Sequence, residues 1–154
     1  MDNDFRYIAE DEINVELKNL ERLLNEAKEL LVKIDNKHPD FIETRAAGSI
    51  LHDFYCGVEK IFERIAVGFD KDMPGGENWH ADLLLQMAKP LKGIRNEVIF
   101  METMNTLKEY MRFRHLFRHI YGFELKWERF AYLFIGLEDI FQKLASDIEK
   151  FLKK

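Results

Sequence analysis

Between Ile13 and Ile34 the apolar residues fall at Ile13, Leu17, Leu20, Leu24, Ala27, Leu31 and Ile34. Steps of four and three keep these side chains on one face of an α-helix for three heptads, whereas a strand, with its period of two, would scatter them over both faces. The pattern stops at Asp35-Asn36-Lys37-His38-Pro39-Asp40, a cluster of turn formers with a proline that disfavours a helical residue before it. It resumes from about Phe41 with Ala47, Leu51, Phe54, Tyr55, Val58, Phe62, Ile65, Ala66 and Phe69. Breakers from Asp70 to Gly76, and Pro90, then delimit an irregular region over about 70–96 that holds a short helix from Trp79 to Ala88. A third long helix is predicted from about Asn96 to Tyr121, stopped by Gly122, and a last one from about Lys126 to Leu152. The expected fold is all-α, an up-and-down bundle of four long helices plus a short helix, forming one domain over 1–154.

Composition agrees with that class. Thirteen Phe against three Pro and eight Gly suit long helices packed on bulky side chains better than many short strands joined by turns. With 154 residues, 47% of them hydrophobic, the chain can build one core without staples, and its single cysteine, Cys56, has no partner for an internal disulfide. The densest apolar stretch, Phe130 to Phe141, is interrupted by Glu138 and Asp139, and no signal-peptide pattern is present, so a soluble cytoplasmic protein with no membrane partner is expected. A net charge of −5 argues against a general nucleic-acid coat protein and leaves the matter to local distribution. The acid is concentrated early: Met1 to Glu43 carries twelve Asp and Glu against six Lys and Arg, which reads as a solvated face.

The third helix changes character towards its end. Its apolar seam of Met104, Leu107 and Met111 continues in the same steps as Arg114, Arg118 and Tyr121, and Met111 to Tyr121 holds three Arg, two His and no acid. Such a segment suits a phosphate. His115 and His119 are spaced as a metal pair could be, but the stretch offers no Cys or carboxylate to complete a set, so neither metal nor another cofactor is expected. Elsewhere, His52-Asp53 reads as a capping or surface pair, with Asp53 a candidate to face the cationic helix end, and Trp79-His80 as an anchor for the short helix. Cys56 reads as buried and inert, and Gly75-Gly76 as a turn that lacks the Lys-Ser/Thr of a phosphate loop.

Arg114, four residues, His119, one residue and Tyr121 together resemble the signature of HEPN-domain ribonucleases, and of the HepT toxin group in particular. The stretch from Leu51 to Ala66, Trp79-His80 with Leu83-Leu84, and Phe113 through Leu125 resemble the same branch, so that the likeness spans about residues 10–150. It departs where Asn96 follows Arg95 in place of a frequent proline. The resemblance implies a HEPN-like fold and a metal-independent RNA endonuclease, the toxin of a type VII-like toxin–antitoxin pair. His119 would move the 2′-hydroxyl proton to the leaving 5′-oxygen, and Arg114 would stabilise the charge on the pentavalent phosphate. Arg118, His115 and Arg112 would contact RNA phosphates, whether of tRNA or mRNA. It further implies a nucleotidyltransferase antitoxin that adds AMP to Tyr121. The alternative is a non-catalytic HEPN-like adaptor or substrate-binding subunit of a nucleotidyltransferase. On a straight helix five residues place Arg114 and His119 about 140° apart. Either the helix distorts there, or two copies share one cleft, as in the symmetric HEPN dimers, so a homodimer is expected.

Overall fold

A computed structural model describes residues 2–153. It contains α1 (Asp2–Ile34), α2 (Phe41–Ile65, prolonged by a π-helical turn over Ala66–Asp70), α3 (Trp79–Met87), α4 (Met101–Phe117), α5 (Trp127–Ile135) and α6 (Leu137–Leu152), with a 3-10 turn at Gly122–Glu124. No strand occurs among the described residues, and the all-α bundle expected from the periodicity is what forms. None of the described helices is long and apolar enough to cross a membrane.

The first two helices are paired along their lengths, joined at Asp40 by a reciprocal cap. The Asp40 carboxylate accepts the Glu43 N–H at 2.8 Å, and the Glu43 carboxylate accepts the Asp40 N–H at 3.0 Å. Gly57 lets the pair close up, because a Cβ there would lie 2.6 Å from Leu20 Cδ2. Fully buried Phe54, Tyr55 and Phe62 of α2, Ile13 and Leu20 of α1, and Phe134 of α5 fill the centre, with α4 and α6 closing the bundle.

Two of the predicted boundaries move for reasons that lie far off in sequence. Helix α4 starts at Met101 rather than near Asn96 because buried Asp147 of α6 acts as its cap, accepting the Phe100 N–H at 3.1 Å and the Thr103 hydroxyl at 2.7 Å. The predicted last helix is divided at Gly136, although the Gly136 N–H still bonds to Tyr132 and its carbonyl still accepts from Ile140. The buried Tyr110 hydroxyl donates to the Leu133 carbonyl at 2.6 Å, the acceptor an uninterrupted helix reserves for Leu137. In the irregular region, Asp70 and Arg95 form a buried pair that ties the end of the π-helical turn to the segment before α4.

Candidate active site

On α2 the side chains of His52, Cys56 and Glu59 recur at i, i+4 and i+7, a polar stripe inside an otherwise apolar helix face. Arg114 of α4 reaches it. Its Nε–H donates to Cys56 Sγ at 3.2 Å, and its Nη2 lies 3.7 Å from Glu59 Oε1. The Glu59 side chain is only 6% exposed, and its other oxygen is 2.6 Å from His80 Nδ1 of α3. One buried carboxylate therefore fixes both the guanidinium of α4 and the imidazole of the short helix. The Trp79 ring, centred 3.6 Å from that of His80, holds the imidazole from the other side. Burial works against the charge on Arg114, but the Cys56 contact and Glu59 more than offset it and hold its pKa above the ordinary value. Burial also pushes the neighbouring Tyr55 phenol up, and Glu59 adds to the rise, so Tyr55 stays neutral. The Arg114 side chain remains 14% exposed, and among the described residues only Cys56 accepts a hydrogen bond from it, with Glu59 as its ion-pair partner.

The helix ends between Arg114 and His119. The last helical residue is Phe117, Arg118 is the cap, and the His119 N–H bonds back only three residues, to Leu116 at 2.9 Å. The predicted stop at Gly122 is thus four residues late, and the straight-helix divergence of Arg114 and His119 does not apply. His119 is exposed, and its Nδ1 lies 2.7 Å from the His115 carbonyl. A carbonyl oxygen can only accept, so Nδ1 carries a proton, and the nitrogen left for other partners is Nε2. The His115 ring lies against it, centroids 4.6 Å apart, and Arg118 beside it is exposed. Arg112 parts from this group. It lines a groove of about 470 Å³ between α4 and α5, with Leu116, Ile120, Lys126 and Arg129. Tyr121 follows the helix end in extended backbone, its side chain open to solvent.

One single-residue reading holds in its first form, one changes, and one residue enters unanticipated. His52-Asp53 is the surface pair expected, with Asp53 exposed and 3.4 Å from His52; Asp53 does not also face the cationic helix end, because it sits about a third of a turn off the stripe that Glu59 occupies. Cys56 is neither fully buried nor idle, since it accepts the Arg114 hydrogen bond with His52 3.8 Å away on its other side. Glu59 was not anticipated at all, although an acid one step along the His52, Cys56 spacing within an apolar run was the signal. Among the described residues no group of three His, Cys, Asp or Glu could hold a metal ion. A cavity of about 1040 Å³ lies elsewhere, between the start of α1, residues 90–100 and the end of α6, and none of the predicted site residues lines it.

A family model described as "HepT-like protein" matches residues 46–154, which takes in the α2 stripe, α3 and the whole basic segment. No curated protein and no solved structure matches the chain. The match covers more than two thirds of the sequence and coincides with the helical bundle that carries Arg114, His119 and Tyr121, so the chain belongs to the HepT-like family of HEPN proteins.

Proposed function

We propose that the protein is a metal-independent RNA endonuclease, acting as the toxin of a toxin–antitoxin pair. The observation that carries this reading is the division of labour at the end of α4. Arg114 is held charged by Glu59 and Cys56 with N–H groups to spare, while His119 is fixed through Nδ1 so that Nε2 is left for a substrate. In this chemistry Nε2 takes the 2′-hydroxyl proton and the 2′-oxygen attacks the adjacent phosphorus. The P–O5′ bond breaks to leave a 2′,3′-cyclic phosphate, and the imidazolium returns the proton to the departing 5′-oxygen. Arg114 offsets the charge that gathers on the phosphate oxygens, a task that guanidinium performs without a metal. Arg118 and His115 flank the scissile phosphate, and Arg112, on the α4–α5 groove, extends the cationic track.

A second copy completes the site in this reading. Leu116, exposed beside the basic residues, gives a homodimer an apolar contact that would bring two helix ends into one groove on the twofold axis. Tyr121 is the site at which a nucleotidyltransferase antitoxin adds AMP, placing a bulky anion next to the phosphate groove and repelling RNA. The alternative, a non-catalytic adaptor for a nucleotidyltransferase, draws on the partly buried, paired state of Arg114, which a structural arginine would share. Incubating the purified protein with tRNA and with mRNA in EDTA separates the two. Cleavage by wild type, lost in Arg114→Ala and His119→Ala of verified fold, establishes the nuclease. No cleavage by a dimer free of AMP establishes the adaptor.

A further inference from the structure

Past His119 the chain lays two aromatic rings side by side in water. Tyr121 and Phe123 are 70% and 68% exposed, and their rings are parallel, 7° apart in plane with centroids separated by 5.2 Å. Their backbone is closed into a turn: the Tyr121 N–H donates to the Glu124 carboxylate at 3.1 Å, and the Glu124 N–H returns to the Tyr121 carbonyl at 2.9 Å. Between the rings stands Gly122, where a Cβ would lie 2.7 Å from Arg45 Nε and 2.9 Å from its Cζ. The glycine therefore lets a guanidinium of α2 seat itself on the turn. The carboxylate within the turn, Glu124, is turned back onto the Tyr121 N–H. Two arginines attend the rings: Arg45, seated against Gly122, and exposed Arg118 on the chain leading in.

A rigid pair of exposed rings beside a guanidinium is what an unstacked nucleobase with its phosphate requires, since every base has a π-face and every nucleotide an anion. An apolar protein segment would use the rings and leave Arg45 without a counter-charge. We propose that Tyr121 and Phe123 form a base-stacking subsite for single-stranded RNA, with Arg45 holding the phosphate of the stacked nucleotide. Only Ile120 separates Tyr121 from His119, so their α-carbons lie within about 7 Å. The subsite thus seats a nucleotide next to the one whose phosphate is cut. Its place in catalysis rests on the ribonuclease reading, but its binding chemistry does not.

Phe123 isolates the subsite, being exposed and outside the proposed catalytic set. The probe is a single-stranded DNA decamer carrying 2-aminopurine, which lacks the 2′-hydroxyl and so binds without being cut. Wild type is expected to quench the 2-aminopurine, Phe123→Ala to bind about tenfold more weakly with the quench lost, and Phe123→Trp to restore both. Equal affinity and quench in wild type and Phe123→Ala, or no quench with wild type, overturns the subsite. So does a change in sedimenting mass in Phe123→Ala with binding untouched, which would assign the rings to a protein interface. Cleavage in EDTA is scored separately: if wild type does not cut RNA while the Phe123 series behaves as expected, the nuclease reading falls and the subsite stands.

Discussion

Two arginines of this bundle are each paired with a buried carboxylate, and they are used in opposite ways. Arg95, 3% exposed, spends every N–H it has: Nε and Nη2 on the two oxygens of Asp70 at 2.5 and 2.8 Å, Nη2 also on the Gln86 carbonyl, and Nη1 on the carbonyls of Lys89 and Asn96. Arg114 gives one N–H to a thiol and faces Glu59 at 3.7 Å, longer than a hydrogen bond. A saturated guanidinium is a fastener. A charged one with donors to spare, at the edge of solvent, is poised to receive another anion. Burial alone does not separate a structural arginine from a functional one; the count of satisfied donors does.

The largest effect that would test this contrast is on stability. Arg95→Ala leaves Asp70 buried without its cation, and is expected to lower the unfolding free energy by about 3–5 kcal/mol in urea titration. Cleavage per folded molecule should stay unchanged. Arg114→Ala should do the reverse. Glu59 keeps His80, so the stability loss is held to about 1–2 kcal/mol, while cleavage of RNA in EDTA falls about 10²–10³-fold. If Arg114→Ala unfolds the protein as Arg95→Ala does, the two arginines are alike and the adaptor reading gains.

Glu59→Gln probes how Arg114 is held. The amide preserves shape and removes the charge that supports the guanidinium, so Arg114 loses its counter-ion and the fixed position that goes with it. Cleavage is expected to fall about tenfold and stability by about 2 kcal/mol. A kcat loss at constant KM assigns Glu59 to positioning Arg114 for the transition state; a change in KM alone would assign it to ground-state binding of RNA.

What could be read from the sequence divides along the same line. Periodicity located the helices because burial of one face is written every three or four residues, and it found the basic end of α4 for the same reason. It missed where α4 begins because the cap, Asp147, arrives from α6, 47 residues on. It did not single out Glu59, because adjacency of Asp53 to a histidine is visible in a string of letters, whereas the register of α2 against α4 is set by packing. The fixing of His119 through Nδ1 was equally out of reach, since it depends on where the helix ends and which carbonyl the ring finds. Side chains that act alone were legible; those that act through a neighbour from another helix were not.

The smallest effect concerns a buried polar group that, like Arg95, is fully used. Tyr110 donates to the Leu133 carbonyl at 2.6 Å at the point where α5 gives way to α6. Burial, aided by Tyr132 and Asp139, pushes its phenol well above the usual value. The folded state thus binds this proton more tightly than the unfolded chain, whose tyrosines ionise near pH 10. The contribution is fully present below about pH 10 and is lost as pH rises through the unfolded and then the folded value. Tyr110→Phe is expected to lower stability by about 1 kcal/mol at neutral pH, and to make the fall in stability above pH 10 shallower, as chemical denaturation at a series of pH values would show. Cleavage should not change, because a donor already committed to a carbonyl has nothing to offer a substrate. Loss of cleavage in Tyr110→Phe would mean that saturation of donors does not distinguish the structural polar groups of this fold from the working ones.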